Sequence, residues 1–162
     1  MAISFNLDEI LEMAEQIEKN GANFYREAAK KVSDKKTQNM FIALAGMEDG
    51  HFQIFREMRS RLSAADKEPT ILDPENEAAF YLKAMAESHG FEGKKGRTTE
   101  FTGRETTKEV FEAAVDAEKL SIVFYSGLKK FESLAGKEKI DTIISEEFNH
   151  LSILYNQLEK MP

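Results

Sequence analysis

Glu18-Lys19-Asn20-Gly21-Ala22-Asn23-Phe24-Tyr25 returns one hundred residues later as Glu118-Lys119-Leu120-Ser121-Ile122-Val123-Phe124-Tyr125, with the Glu-Lys and Phe-Tyr pairs repeated and four different residues between them. Each copy is preceded by a related run, Glu9-Ile10-Leu11-Glu12 in one half and Glu109-Val110-Phe111-Glu112 in the other. Each is followed by a Glu-x-x-His, Glu48 with His51 and Glu147 with His150. One isolated Glu-x-x-His carries little information. Two of them, each paired with an upstream Glu in a duplicated segment, describe a four-helix bundle built to hold two metal ions in its core.

The rest of the chain fits that reading. Its 162 residues suit a single domain, 1–162, with a sizeable core, and a hydrophobic content of 41% lies in the globular range. There is no cysteine, which excludes disulfides, iron–sulfur clusters and thiolate zinc sites. Any metal must then be held by carboxylate and imidazole. A net charge of −7 argues against nucleic acid as a partner. The N-terminus has no basic segment followed by an apolar run, and no stretch approaches the roughly twenty apolar residues of a membrane span. A soluble, cytoplasmic protein is expected, with neither nucleic acid nor membrane as a partner.

Apolar spacing predicts four helices. Helix A begins near Asn6, with Glu9 completing a capping box. Its stripe runs Leu7, Leu11, Ala14, Glu18, Gly21, Tyr25, Ala28, Val32. Helix B begins near Asp34, with Phe41, Leu44, Glu48, His51, Phe55, Met58 and Leu62. Helix C opens on a second capping box, Thr106 with Glu109, and continues through Phe111, Ala114, Glu118, Ser121, Tyr125 and Leu128. Helix D follows Gly136 with Ile140, Ile143, Glu147, His150, Leu154 and Met161. The three–four spacing is that of a bundle seam. Tight turns near Ser33-Asp34 and Ala135-Gly136 make A–B and C–D antiparallel hairpins. The long B–C connection is expected to contain a short helix over Pro74–Ser88, with apolar Ala78, Phe80, Tyr81 and Met85, and a polar exposed loop over Phe91–Gly103. Such a link can travel the length of the bundle and relate the hairpins by a two-fold axis, the ferritin-like crossover.

Each seam is apolar except near its middle, where it carries a Glu, and in B and D also a His one turn on. Residues three apart share a helix face, so each Glu and His can reach a common ion. Four buried carboxylates at similar height would be prohibitive without cations, since an unpaired buried charge costs several kcal/mol or must be protonated. Glu18, Glu48, His51, Glu118, Glu147 and His150 are therefore the metal-ligand candidates. Four Glu and two His suit two ions of the iron or manganese type, with zinc a possible substitute; calcium prefers all-oxygen ligation. Tyr25 and Tyr125 are either core aromatics or donors that orient bridging carboxylates. Gly21 and Ser121 either leave room for dioxygen or peroxide or allow close helix packing. His89 reads as a surface histidine, and Lys94, Lys95 and Arg97 as solvated loop charges.

Glu18 with Tyr25, Glu48-x-x-His51, Glu118 with Tyr125 and Glu147-x-x-His150, in that order and spacing, resemble the rubrerythrin branch of the ferritin-like diiron-carboxylate superfamily over nearly the whole chain. The resemblance implies two iron ions, with Glu48 and Glu147 bridging, Glu18 and His51 completing one ion, and Glu118 and His150 the other. It implies reduction of hydrogen peroxide or dioxygen in oxidative-stress defence, and a homodimer. Two departures stand out. Typical rubrerythrins carry a rubredoxin-like domain with a four-cysteine iron, so a cysteine-free chain needs an external electron donor such as a rubredoxin-type protein. Typical members also have an additional Glu one turn past the first ligand of the third helix, where this chain has Ser121. The four-Glu, two-His set is in this respect similar to bacterioferritin ferroxidase centres. The expected activity is a diiron oxidoreductase; the alternatives are a ferroxidase or iron-handling protein, and a non-catalytic metal-stabilised bundle.

Overall fold

In the computed structural model, which describes residues 6–68, 84, 101–129 and 136–162, four long helices form a bundle and no strand occurs among the described residues. They are α1 (Leu7–Lys31), α2 (Lys35–Ser60), α3 (Thr107–Leu128) and α4 (Lys137–Leu158). The start signals sit where the sequence places them. Asn6 accepts from the Glu9 amide at 2.9 Å while Glu9 accepts from the Asn6 amide at 3.0 Å. Thr106 and Glu109 repeat this reciprocal box at the start of α3. Asp34 caps α2 through the Thr37 amide at 2.8 Å. Each such cap satisfies amide groups that the first helical turn leaves unpaired. Gly136 opens α4 at φ 88°, a left-handed conformation that glycine adopts without a Cβ clash.

Packing is densest within the hairpins, α1 on α2 and α3 on α4. The core is split into two apolar halves. One gathers Leu7 to Ile17 from the start of α1, Phe55 and Met58 from the end of α2, Phe124 and Leu128 from the end of α3, and Ile140 and Ile143 from the start of α4. The other gathers Phe24 to Val32 from the end of α1, Phe41 to Ala45 from the start of α2, Val110 to Val115 from the start of α3, and Leu154 near the end of α4. Two directions follow. α1 is antiparallel to α3 as well as to α2, so the hairpins are related by a two-fold axis across the bundle. α2 finishes at one end and α3 begins at the other, so the connection between them spans the bundle's length, as the ferritin-like crossover requires.

The buried face is wider than the predicted stripes. Ile10, Ile17, Phe24, Val110 and Phe124 are buried beside the seam residues, because a bundle helix touches two neighbours. Conversely, Gly21 and Ser121 are only half-buried. Met161 lies beyond the end of α4 yet packs on the second apolar half. Phe101, assigned to an exposed loop, is half-buried and stacks on Phe24 with ring centroids 5.0 Å apart. The short helix expected over Pro74–Ser88 lies outside the described residues apart from helical Ala84, as do His89, Lys94, Lys95 and Arg97. No helix among the described residues is long and apolar enough to cross a membrane.

Candidate metal centre

Between the two apolar halves lies a polar plate. Glu18 from α1, Glu48 and His51 from α2, Glu118 from α3, and Glu147 and His150 from α4 meet there, each no more than 4% exposed. These are the six residues that the seams single out, and helical periodicity alone brings them to one level. They form two overlapping clusters whose ligand atoms all lie within 4.8 Å of one another: Glu18, Glu48, His51 and Glu147 in one, Glu48, Glu118, Glu147 and His150 in the other. Glu48 and Glu147 belong to both, while Glu18 and Glu118 belong to one each.

Both imidazoles turn Nδ1 inward. His51 Nδ1 lies 2.9 Å from Glu147, 3.4 Å from Glu48 and 3.5 Å from Glu18. His150 Nδ1 lies 3.3 Å from Glu48, 3.5 Å from Glu147 and 3.7 Å from Glu118. The outer nitrogens find different partners. His51 Nε2 lies 2.6 Å from a carboxylate oxygen of Glu146, and His150 Nε2 lies 3.0 Å from the sulfur of Met47. A carboxylate and a thioether are both acceptors, so in the neutral form each imidazole keeps its proton on Nε2 and points a lone pair inward from Nδ1.

That inward face is where the donor set declares itself. His51 Nδ1, His150 Nδ1, Glu48 Oε1, Glu118 Oε2 and Glu147 Oε1 are buried without a directed hydrogen bond. Lone pairs facing lone pairs in a dry interior require a cation or protons between them. Imidazole nitrogen with carboxylate oxygen, two groups of four with two members shared, suits a pair of divalent transition-metal ions.

Protons are the alternative to a cation, and the electrostatics show how they would distribute. Burial drives the Glu18 and Glu118 carboxyls well above the usual range, reinforced at Glu18 by the Glu48 charge and at Glu118 by its contact with Glu147. Glu48 and Glu147 also suffer burial, but the facing imidazoles outweigh it at Glu48, and Glu118 and the imidazoles do so at Glu147, so both are held below it. Burial opposes charging the imidazoles, yet the surrounding carboxylates prevail: the pKa of His51 is strongly raised and that of His150 is pushed up to about 12. Without a cation, the charged form is thus favoured at Glu48, Glu147 and both imidazoles and the neutral form at Glu18 and Glu118.

Tyr25 on α1 hydrogen-bonds Glu118 on α3, and Tyr125 on α3 hydrogen-bonds Glu18 on α1. The tyrosines are thus donors, as one of the two sequence readings has it, but to the carboxylates that belong to one cluster each rather than to the shared pair. Helical offset explains this: two turns along from Glu18, Tyr25 has left the level of the shared pair and faces the neighbouring helix. Burial, then nearby carboxylate charge, raises both phenols well above 10, so each stays a donor. Gly21 faces the shared carboxylate, since a Cβ built on it would lie 3.5 Å from Glu48 Cγ.

The sequence reading missed Glu146 and Met47. Each immediately precedes a shared Glu, and each sits outside the seam, so periodicity assigns it to solvent. The one available signal is the unexplained pair Glu146-Glu147.

The sequence model of the rubrerythrin family matches residues 9–159. A solved structure of a protein from Thermotoga maritima, described as ferritin-like diiron-carboxylate, is similar with a TM-score of 0.69 and 23% identity, covering 97% of each chain. At that identity the likeness speaks for the fold. No curated protein matches the chain.

Proposed function

The chain belongs to the rubrerythrin family, and from that premise we propose that it is a diiron-carboxylate oxidoreductase that reduces hydrogen peroxide or dioxygen with electrons from an external donor. The observation that carries the proposal is the pair of buried clusters sharing Glu48 and Glu147. Glu18 and His51 would complete the set around one iron ion, and Glu118 and His150 around the other, with Glu48 and Glu147 common to both. Ferrous iron, when bound, supplies the two electrons that split an O–O bond.

The protein's own residues do the remaining work. The four carboxylates balance the charge of two divalent ions without further anions. With an ion bound, both His Nδ1 atoms would present lone pairs, their remaining protons at Nε2 facing Glu146 and, more weakly, Met47. The Tyr25 and Tyr125 hydroxyls fix one oxygen each of Glu118 and Glu18, leaving the other for a ligand. The apolar halves above and below exclude bulk water, which strengthens every electrostatic interaction between them. Gly21 keeps side-chain bulk away from the shared Glu48. A rubredoxin-type protein is the chemically suitable donor for a cysteine-free chain, and the setting is oxidant defence in the cytoplasm, with the chain as a homodimer.

A ferroxidase role is the second reading, favoured by Ser121. With a half-buried serine where the family's additional Glu would stand, the ligand set is two-fold symmetric, as suits a site that passes iron through. Anaerobic loading with ferrous iron, followed by stopped-flow absorbance on mixing with peroxide and, separately, with oxygen, tests both. Repeated peroxide turnover with retained metal supports the reductase. Metal that leaves after a single oxidation supports the ferroxidase. Bound metal inert to both oxidants sinks both readings.

A further inference from the structure

The six candidate ligands obey the two-fold axis, but what stands behind the histidines does not. Position 47 and position 146 correspond, each one residue before a shared Glu on the second helix of its hairpin. One is Met and the other is Glu. His51 therefore rests on a carboxylate 2.6 Å from Nε2, and His150 on a thioether 3.0 Å from Nε2.

We propose that Glu146 and Met47 are positioning residues that make the two halves of the centre unequal, so that the His51 half fills first and holds its ion more tightly, while the His150 half is the exchangeable one. This rests on the two-ion reading given above and deepens it. The argument is one of ligand basicity. A carboxylate accepting the Nε2 proton pulls it outward, which enriches the Nδ1 lone pair and fixes the ring's orientation. Loss of such a partner costs about 10–100-fold in metal affinity. A thioether is only a weak acceptor, so His150 gains little of either effect. Glu146 is about half exposed, with 52% of its side chain accessible, so water competes for its charge and the lower end of that range applies. Met47, 45% exposed, is equally within reach of solvent and is a member of neither apolar half-core.

Repulsion between two cations would separate two binding steps even in a symmetric site, so the test must locate the first ion. Metal-free protein loaded with one equivalent of Co(II) per chain is crystallised, and anomalous scattering is measured at the cobalt edge. The stronger peak is expected among Glu18, Glu48, His51 and Glu147. In the exchange variant Glu146→Met/Met47→Glu the peak should move to the cluster of Glu118 and His150. Equal peaks in the wild type, a stronger peak beside His150, or a peak that stays in place in the exchange variant overturns the proposal. Glu146→Gln guards against a variant that fails to fold, because it keeps an acceptor and removes the charge. Its tighter Co(II) step, followed by visible absorbance, should weaken about tenfold, and an unchanged step overturns the proposal. A wild type that binds no Co(II), or only one ion at saturation, overturns the two-ion reading and this inference with it. Two ions at saturation with no preference at one equivalent overturns the inference alone.

Discussion

The Tyr25 hydroxyl on α1 is hydrogen-bonded to Glu118 on α3, and Tyr125 returns the relation by bonding Glu18. Each phenol thus ties a carboxylate on the opposite hairpin, so the two bonds cross-link α1 and α3 through the site. A hydrogen bond to a charged group contributes about 1.5–3 kcal/mol, and its loss leaves a buried oxygen unsatisfied. Tyr25→Phe and Tyr125→Phe should each lower the urea-unfolding free energy of the metal-loaded protein by about 1–3 kcal/mol. Two variants as stable as wild type would show that the bonds contribute nothing.

Among the described residues, Glu48 and Glu147 alone belong to both candidate clusters. The Glu48→Ala/Glu147→Ala variant should lose nearly all bound metal when purified from iron-supplemented cells, against about two ions per chain for wild type, measured by elemental analysis. Full occupancy in the variant would contradict the shared role.

Metal binding must displace the protons that otherwise balance the plate. His51, His150, Glu18 and Glu118 all have raised pKa values, so protons held there must leave when a cation enters. Calorimetric titration in buffers of different ionisation enthalpy should therefore register net proton release on metal binding near pH 7, and binding with no proton release would contradict the raised values.

The same shifts set the pH dependence of the metal-free fold. For the two histidines the folded pKa lies above the ordinary 6.5, so their stabilisation is complete below pH 6.5 and drains away as pH rises toward about 12 at His150. Raised Glu18 and Glu118 act in the same sense from 4.5 upward, whereas depressed Glu48 and Glu147 contribute fully above 4.5 and lose that contribution as pH falls below it. Metal-free protein should therefore melt at lower temperature at pH 8.5 than at pH 6, while the loaded form should not. The gap between the two forms should narrow in mild acid. Parallel melting curves for both forms across that range would refute the charge assignment.

Ser121 is half-buried one turn beyond Glu118, and its counterpart Gly21 faces Glu48. Ser121→Glu places a carboxylate within reach of the same ions. It should raise the rate of diferrous oxidation by peroxide relative to oxygen, read by stopped flow. A wild type that already favours peroxide strongly, with a variant no better, would show that Ser121 is not the determinant.

Much of this architecture is legible in the sequence because helices make distance local. The level at which Glu18, Glu48, Glu118 and Glu147 meet follows from 3.6 residues per turn and a duplicated register, and the helix starts follow from Asn6, Asp34, Thr106 and Gly136, whose chemistry acts within three residues. What periodicity cannot supply is pairing across helices. The same Tyr25 that belongs to the α1 seam turns out to serve Glu118, a residue 93 positions away. Glu146 and Met47 read as solvent-facing, yet they touch His51 and His150 from the opposite hairpin, 95 and 103 positions away. These contacts depend on the rotation of one hairpin against the other, which no local rule encodes.

The division of each ligand cluster between hairpins has a consequence for how the protein is made. The His51 cluster draws on α1, α2 and α4, and the His150 cluster on α2, α3 and α4. Each apolar half-core likewise takes residues from all four helices. In order of synthesis the first hairpin supplies Glu18, Glu48 and His51 but not Glu147, so neither cluster is complete until α4 has been synthesised and docked. An ion that needs a complete cluster can therefore be held only after α4 has joined the bundle, and a chain cut before α4 cannot assemble either cluster.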